Sequence, residues 1–374
     1  MVKKGGLSLL KYANKMGPFK DPFALFVFSI GVEKYIHEHR PEDFPRVTTR
    51  GHVNIRRVRA TPLTPEGRLG SALGVPKSLF LKEGHDETDY ETVGDIPGFT
   101  DGTDDGDVES RDEKMGNGHD AGDSSPDEVL VFVHGWLSDE EAALGRMSLL
   151  RYSLEENGYP HPVVGFTWDT EQTVVEWESG KIIARWNGPK LAQFTADYAK
   201  ENPDTRIRYI SNSLGAHPLF SALKTLEESG FEDVVESATV MGGSVPSRSV
   251  SVNGEYGDAV RNVVGDVYNY WTPRDRTLRQ YYRLAEGTDC VGGAGAEGKT
   301  PENYHDRRVE HVPDHYSFML PHRGCIDEVV QDLGVEPPES LKDAEVTKKL
   351  KAFRDASFVS NGEDGKEIEY DAES

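Results

Sequence analysis

From residue 129 onward, short valine-rich runs alternate with stretches of helical periodicity, and this alternation constrains the fold most. "VLVFV" (129–133) is apolar at every position. A strand with one wet face would alternate, so an unbroken run reads as a strand covered on both faces. Further strands are expected at "VVGFTW" (163–168), "IRYIS" (207–211), "ATVMGG" (238–243), "DVYNYWT" (266–272) and "DRRVEHV" (306–312). Helices are expected at about 138–156, 181–200, 214–230 and 316–333. In the second of these Leu191, Phe194 and Tyr198 recur at spacings of three and four. Strands joined by crossover helices build a mostly parallel sheet with helices on both faces, an α/β class.

The flanks read differently. Residues 1–82 form an N-terminal segment with five lysines and no acid in the first 20 residues, followed by "PFALFVFSIGV" (22–32). A basic stretch before an apolar one is the order of an export signal, but no small-residue cleavage site follows. A packed helix near 22–38, a membrane-surface contact through residues 22–32 and an export signal all stand. Residues 83–128 hold 17 acidic residues against Arg111 and Lys114, so this segment carries −15 of the chain's net −23. Little in it can be buried, and it reads as an acidic, flexible linker. Its "DGTDDGD" lacks EF-hand spacing and reads as a solvated loop rather than a calcium site. Residues 335–374 are expected to hold one amphipathic helix (Val346, Leu350, Phe353) and an acidic tail. The acidic excess repels phosphate and excludes nucleic acid as a partner. It also fits a high-salt environment. Cys290 and Cys325 match no metal spacing, and one disulfide between them is permitted but not implied.

In open parallel sheets ligands bind beyond the carboxyl ends of the strands. "HGW" (134–136) follows the first run, and Gly135 and Trp136 there could turn backbone N–H groups toward a cavity, as oxyanion stabilisation needs. "ISNSLGAH" (210–217) sits between a strand and a helix, the setting of a nucleophile elbow. Ser213 would present its hydroxyl, Leu214 would supply an N–H at the helix start, and Gly215 would let helix approach strand. Two readings compete: an elbow, or a turn with Ser213 as a helix cap. Ser211 occupies the position where glycine is usual. Asp275 lies just past "YNYWT", with Asp169 and Asp258 as rivals. His315, beyond "DRRVEHV" and opening a helix, is the expected base. His311 would fall within that strand and His305 before it. Ser, then Asp, then His, each after its own strand, is the order expected of a serine hydrolase on such a sheet.

"VFVHGW", "SNSLGAH", "TPRDRTL" and "DHYSF" resemble the α/β-hydrolase superfamily, and look closest to lipase- and esterase-like serine hydrolases of halophilic archaea. "SLGAH" is also similar to the elbow of animal triglyceride lipases. The likeness spans roughly residues 129–334. "VTTRGHVNI" (47–55) resembles the start of the mature part of secreted halophilic members, although residues 1–46 carry no recognisable twin-arginine motif. The resemblance implies the α/β-hydrolase fold, Ser213 as nucleophile, His315 as base and Asp275 as orienting acid. It implies a small-molecule ester or lipid as substrate, with no metal and no organic cofactor. The superfamily also contains members that no longer catalyse, so a non-catalytic binding or structural protein is the alternative. Trp136 and Trp168 are candidates for an acyl pocket or for core packing.

Overall fold

The computed structural model describes residues 44–53, 85–99, 125–170, 177–321, 323–336 and 338. The apolar run 22–32, the "DGTDDGD" loop and the tail helix lie outside them. Eight strands form one sheet: β1 (Arg46–Thr48), β2 (Glu91–Val93), β3 (Glu128–Val133), β4 (Val163–Thr167), β5 (Arg206–Asn212), β6 (Val235–Met241), β7 (Val264–Trp271) and β8 (Tyr304–Arg308). Their spatial order is β2-β1-β4-β3-β5-β6-β7-β8. Every pairing is parallel except β1 with β2.

All six expected strands exist, and β3 lies inside the sheet, where its unbroken apolar run requires it to be. Val129, Val131 and Val133 point to one face and Leu130 and Phe132 to the other. The first face is covered by α2 (Trp177–Glu201) and α3 (Ala216–Glu228), through Ile183, Leu191, Phe194, Leu219 and Leu223. The second is covered by α1 (Glu140–Glu156) and the short α5 (Ile326–Asp332). A shorter helix, α4 (Gly257–Asn262), leads into β7. Helix α1 is capped by Asp139, whose carboxylate accepts the Ala142 N–H at 2.9 Å, satisfying one of the first-turn donors.

The structure differs from the sequence reading in three places. Residues 46–48 and 91–93, read as outside the alternating region, add β1 and β2 to the sheet edge, and Ile96 in the acidic segment is buried. β8 is shifted toward the N-terminus, so His305 lies in it and His311 in the turn that follows. Its residues Asp306 to Arg308 are charged, which an edge strand tolerates because it has a free side. The helix expected over 316–333 is a series of turns until Ile326. Pro321 and Gly324 interrupt it. Cys290 and Cys325 are both buried and free.

Candidate active site

Four loops at the carboxyl ends of β3, β5, β7 and β8 meet above the sheet centre. Strand β5 ends at Asn212, residues 213–215 make a single 3₁₀ turn, and α3 begins at Ala216. At the bend Ser213 has φ +57°, a left-handed conformation that a side chain enters only at a cost. The bend is held on several sides. The Ser244 N–H donates to the Ser213 carbonyl at 3.1 Å. Asn212 Nδ2 donates to the Met241 carbonyl at 3.1 Å. Gly215 is required by contact: a Cβ there would lie 2.4 Å from the Val133 carbonyl oxygen and 2.6 Å from that of His134. Ser211, two residues earlier in β5, is fully buried.

Asp275 lies in the loop after β7, completely buried. Its Oδ1 accepts the Leu278 N–H at 2.8 Å, capping the π-helical turn Thr277–Tyr282. That bond leaves Oδ2 aimed at His315. The His315 loop is fastened to this one, because Thr272 Oγ1 donates to the Val312 carbonyl at 3.0 Å. Asp314 turns the chain locally by accepting the Tyr316 N–H at 2.9 Å and the Ser317 hydroxyl at 2.8 Å. Phe318 is buried against Gly242.

The result is one hydrogen-bonded chain. His315 Nδ1–H donates to Asp275 Oδ2 at 2.5 Å, and the Ser213 hydroxyl donates to His315 Nε2 at 2.8 Å. The acid fixes the tautomer that leaves Nε2 free to accept. The rivals fall elsewhere. Asp169 accepts the Gly51 and Val53 N–H groups at 3.0 and 3.3 Å. Asp258 pairs with Arg261 at 2.7 Å. His305 bonds Asp266 at 2.8 Å, and His311 bonds the Gly324 carbonyl at 3.0 Å.

The loop after β3 borders the serine. A Cβ on Gly135 would sit 2.9 Å from both the Ser213 Cβ and the Asn212 carbonyl oxygen, so only glycine fits. His134, which the sequence offered only as part of a turn, fixes this loop. Its Nε2 accepts the Trp168 N–H at 3.3 Å, and its Nδ1 donates to the Gly135 carbonyl at 2.8 Å. Its pKa is held well below 6.5, first by burial and then by the nearby Arg50 and Arg146. The neutral ring can therefore accept on one side and donate on the other. The Ser138 hydroxyl donates to the same Gly135 carbonyl at 3.1 Å. Because a peptide is planar and trans, anchoring that oxygen also fixes the direction of the Trp136 N–H.

The aromatic residues divide. Trp168 is fully buried and its Nε1 donates to the His134 carbonyl at 3.2 Å; it belongs to the core and not to a pocket. The Trp136 ring meets Trp177 edge-on at 5.2 Å, and Trp177 meets Tyr281 at 6.1 Å. Trp177 and Tyr281 were not singled out from sequence, since lone aromatics in helical stretches look like ordinary packing. Beside them Leu137 is 39% exposed at φ +56°. Among the described residues no group of His, Cys, Asp and Glu could hold a metal, and no helix is long and apolar enough to cross a membrane.

One family model agrees with this architecture. Residues 115–279 match a family described as alpha/beta hydrolases of unknown function (DUF900). No curated protein matches the chain. Among solved structures, a novel cutinase-like protein from Cryptococcus sp. is similar over 56% of this chain and 96% of its own, at 13% identity and a TM-score of 0.29. The eight-stranded, mostly parallel sheet with helices on both faces is the α/β-hydrolase fold, and the chain is built on that hydrolase scaffold.

Proposed function

We propose that the protein is a serine hydrolase that cleaves a carboxyl ester through an acyl-enzyme. The observation that carries this reading is the Ser213–His315–Asp275 hydrogen-bond chain, 2.8 and 2.5 Å long, assembled from three separate loops. His315 Nε2 takes the proton as Ser213 Oγ attacks the ester carbonyl. Asp275 stabilises the imidazolium that forms. The N–H groups of Leu214 and of the Gly135–Trp136 loop hold the oxyanion. His315 then gives its proton to the departing alcohol. A water, deprotonated by the same nitrogen, releases the acid and restores Ser213. Trp136, Trp177 and Tyr281 form one wall for the substrate. The substrate is a small-molecule ester or a lipid, and residues 22–32 are the candidate for contact with a membrane surface.

Labelling with a fluorophosphonate probe tests the reading, run in high salt because of the net charge of −23. Wild type is expected to label and Ser213→Ala to remain unlabelled while still folded. A well-folded wild type that takes no label would sink the catalytic reading and leave a binding scaffold.

A further inference from the structure

Arg146 lies in the middle of α1, on its buried side, and is only 8% exposed. Two equally buried arginines have acidic partners: Arg46 pairs with Glu140 at 3.3 Å and Arg208 with Glu128 at 2.8 Å. Arg146 has no carboxylate partner among the described residues. Burial pulls its pKa down to about 10, so it stays charged at neutral pH. A buried guanidinium without a counter-charge is unfavourable, because its lost hydration is not replaced. Its place in the site suggests what replaces it. A methyl on Gly135 would touch both the Ser213 Cβ, at 2.9 Å, and Arg146 Nη1, at 3.3 Å. Arg146 Nη1 therefore lies no more than 6.2 Å from the Ser213 Cβ. Tyr316, the residue after His315, is close enough to interact with it electrostatically. Arg146 is therefore near both the loop beside Ser213 and the loop carrying His315.

We propose that Arg146 recognises a carboxylate on the acyl part of the substrate, so that the ester cleaved at Ser213 is a half-ester of a short dicarboxylic acid. This rests on the hydrolase reading above. A planar guanidinium binds a carboxylate through two parallel hydrogen bonds. Its closeness to Ser213 limits the spacer to a few carbons.

The test compares nitrophenyl hydrogen glutarate with the nitrophenyl ester of a neutral branched acid of the same shape. In wild type kcat/KM is expected to favour the acidic ester by about tenfold to a hundredfold, the range for a charge-assisted pair. That ratio should collapse in Arg146→Met and recover in part in Arg146→Lys. Free glutarate should slow fluorophosphonate labelling of wild type and lose that effect in Arg146→Met. An unchanged ratio in Arg146→Met, or no preference in wild type, overturns the proposal. If Arg146→Met does not fold, the wild-type ratio and the glutarate protection decide it alone. If Ser213 labels but glutarate gives no protection and the neutral ester is cleaved as fast, only the carboxylate assignment falls. If Ser213 never labels and neither ester turns over, the hydrolase reading falls with it.

Discussion

Ser213 holds a side chain at a left-handed bend, φ +57°, where glycine would sit without strain. That conformation costs a residue with a Cβ about 1 kcal/mol. Ser213→Gly is therefore expected to be about 1 kcal/mol more stable than Ser213→Ala, with both unlabelled, as urea unfolding and the probe would report together. Ser211 is the opposite case. Its hydroxyl is buried with no partner among the described residues, so Ser211→Ala is expected to be neutral or up to about 1 kcal/mol stabilising. Ser211→Gly should cost about 0.5–1 kcal/mol in backbone entropy. Both should keep the label, and loss of label in either would mean that Ser211 takes part in shaping the bend. The sequence exposed Ser213, Asp275 and His315 because each follows a strand and their order is constrained. It did not expose Arg146, which sits mid-helix among apolar neighbours, where nothing local distinguishes it from a surface arginine. The role of His134 was hidden for a related reason: its partners Trp168 and Gly135 make sense only once β3 and β4 are side by side.

At the scale of elements, the junction of β3, β5 and α3 carries the site. Gly215 lets α3 start against the β3 backbone, and Gly215→Ala would place a methyl among carbonyl oxygens that cannot swing aside. A loss of about 1–3 kcal/mol is expected. The labelling rate should fall about tenfold or more, because the bend and the Leu214 N–H move with the helix. A variant with wild-type stability and labelling would show that the junction is looser than these contacts imply. The same scale explains which elements were legible. β3 announces itself by an unbroken apolar run, and β4 to β7 by short apolar-rich stretches alternating with helical periodicity. β1 and β2 are three residues each, and β2 reads "ETV" inside an acidic stretch. Their strand character comes from pairing with each other and with β4, not from local pattern. The loop carrying His315 was mistaken for the start of a helix because its apolar residues Phe318, Met319 and Leu320 are buried beneath turns.

Over the whole molecule, two buried neutral histidines tie stability to pH. Burial pulls the His217 pKa down to about 3, and His134 also lies well below its ordinary value. In the unfolded chain both titrate near the usual value, about 6.5. Below that pH the unfolded state takes up protons that the native state refuses, so stability falls as pH falls. For His217 the loss continues until the pH nears about 3. Each histidine contributes a slope of about 1.4 kcal/mol per pH unit in that window. Urea midpoints measured between pH 7 and pH 5 should show the decline, and His217→Gln should remove one proton's share of it. Comparing variant with wild type cancels the opposing relief of charge repulsion as carboxylates protonate; identical slopes would rule out the assignment. The largest consequence follows from the length of chain between Ser213 and His315, 102 positions. A ribosome completes the β3, β5 and α3 junction long before it adds the base. On the proposed reading, a chain made only as far as α3 carries Ser213 without the histidine that would take its proton, and is inert. On that reading reactivity would arrive only when β8 and the loop after it close onto the sheet, and the order of synthesis would keep the hydroxyl silent until then.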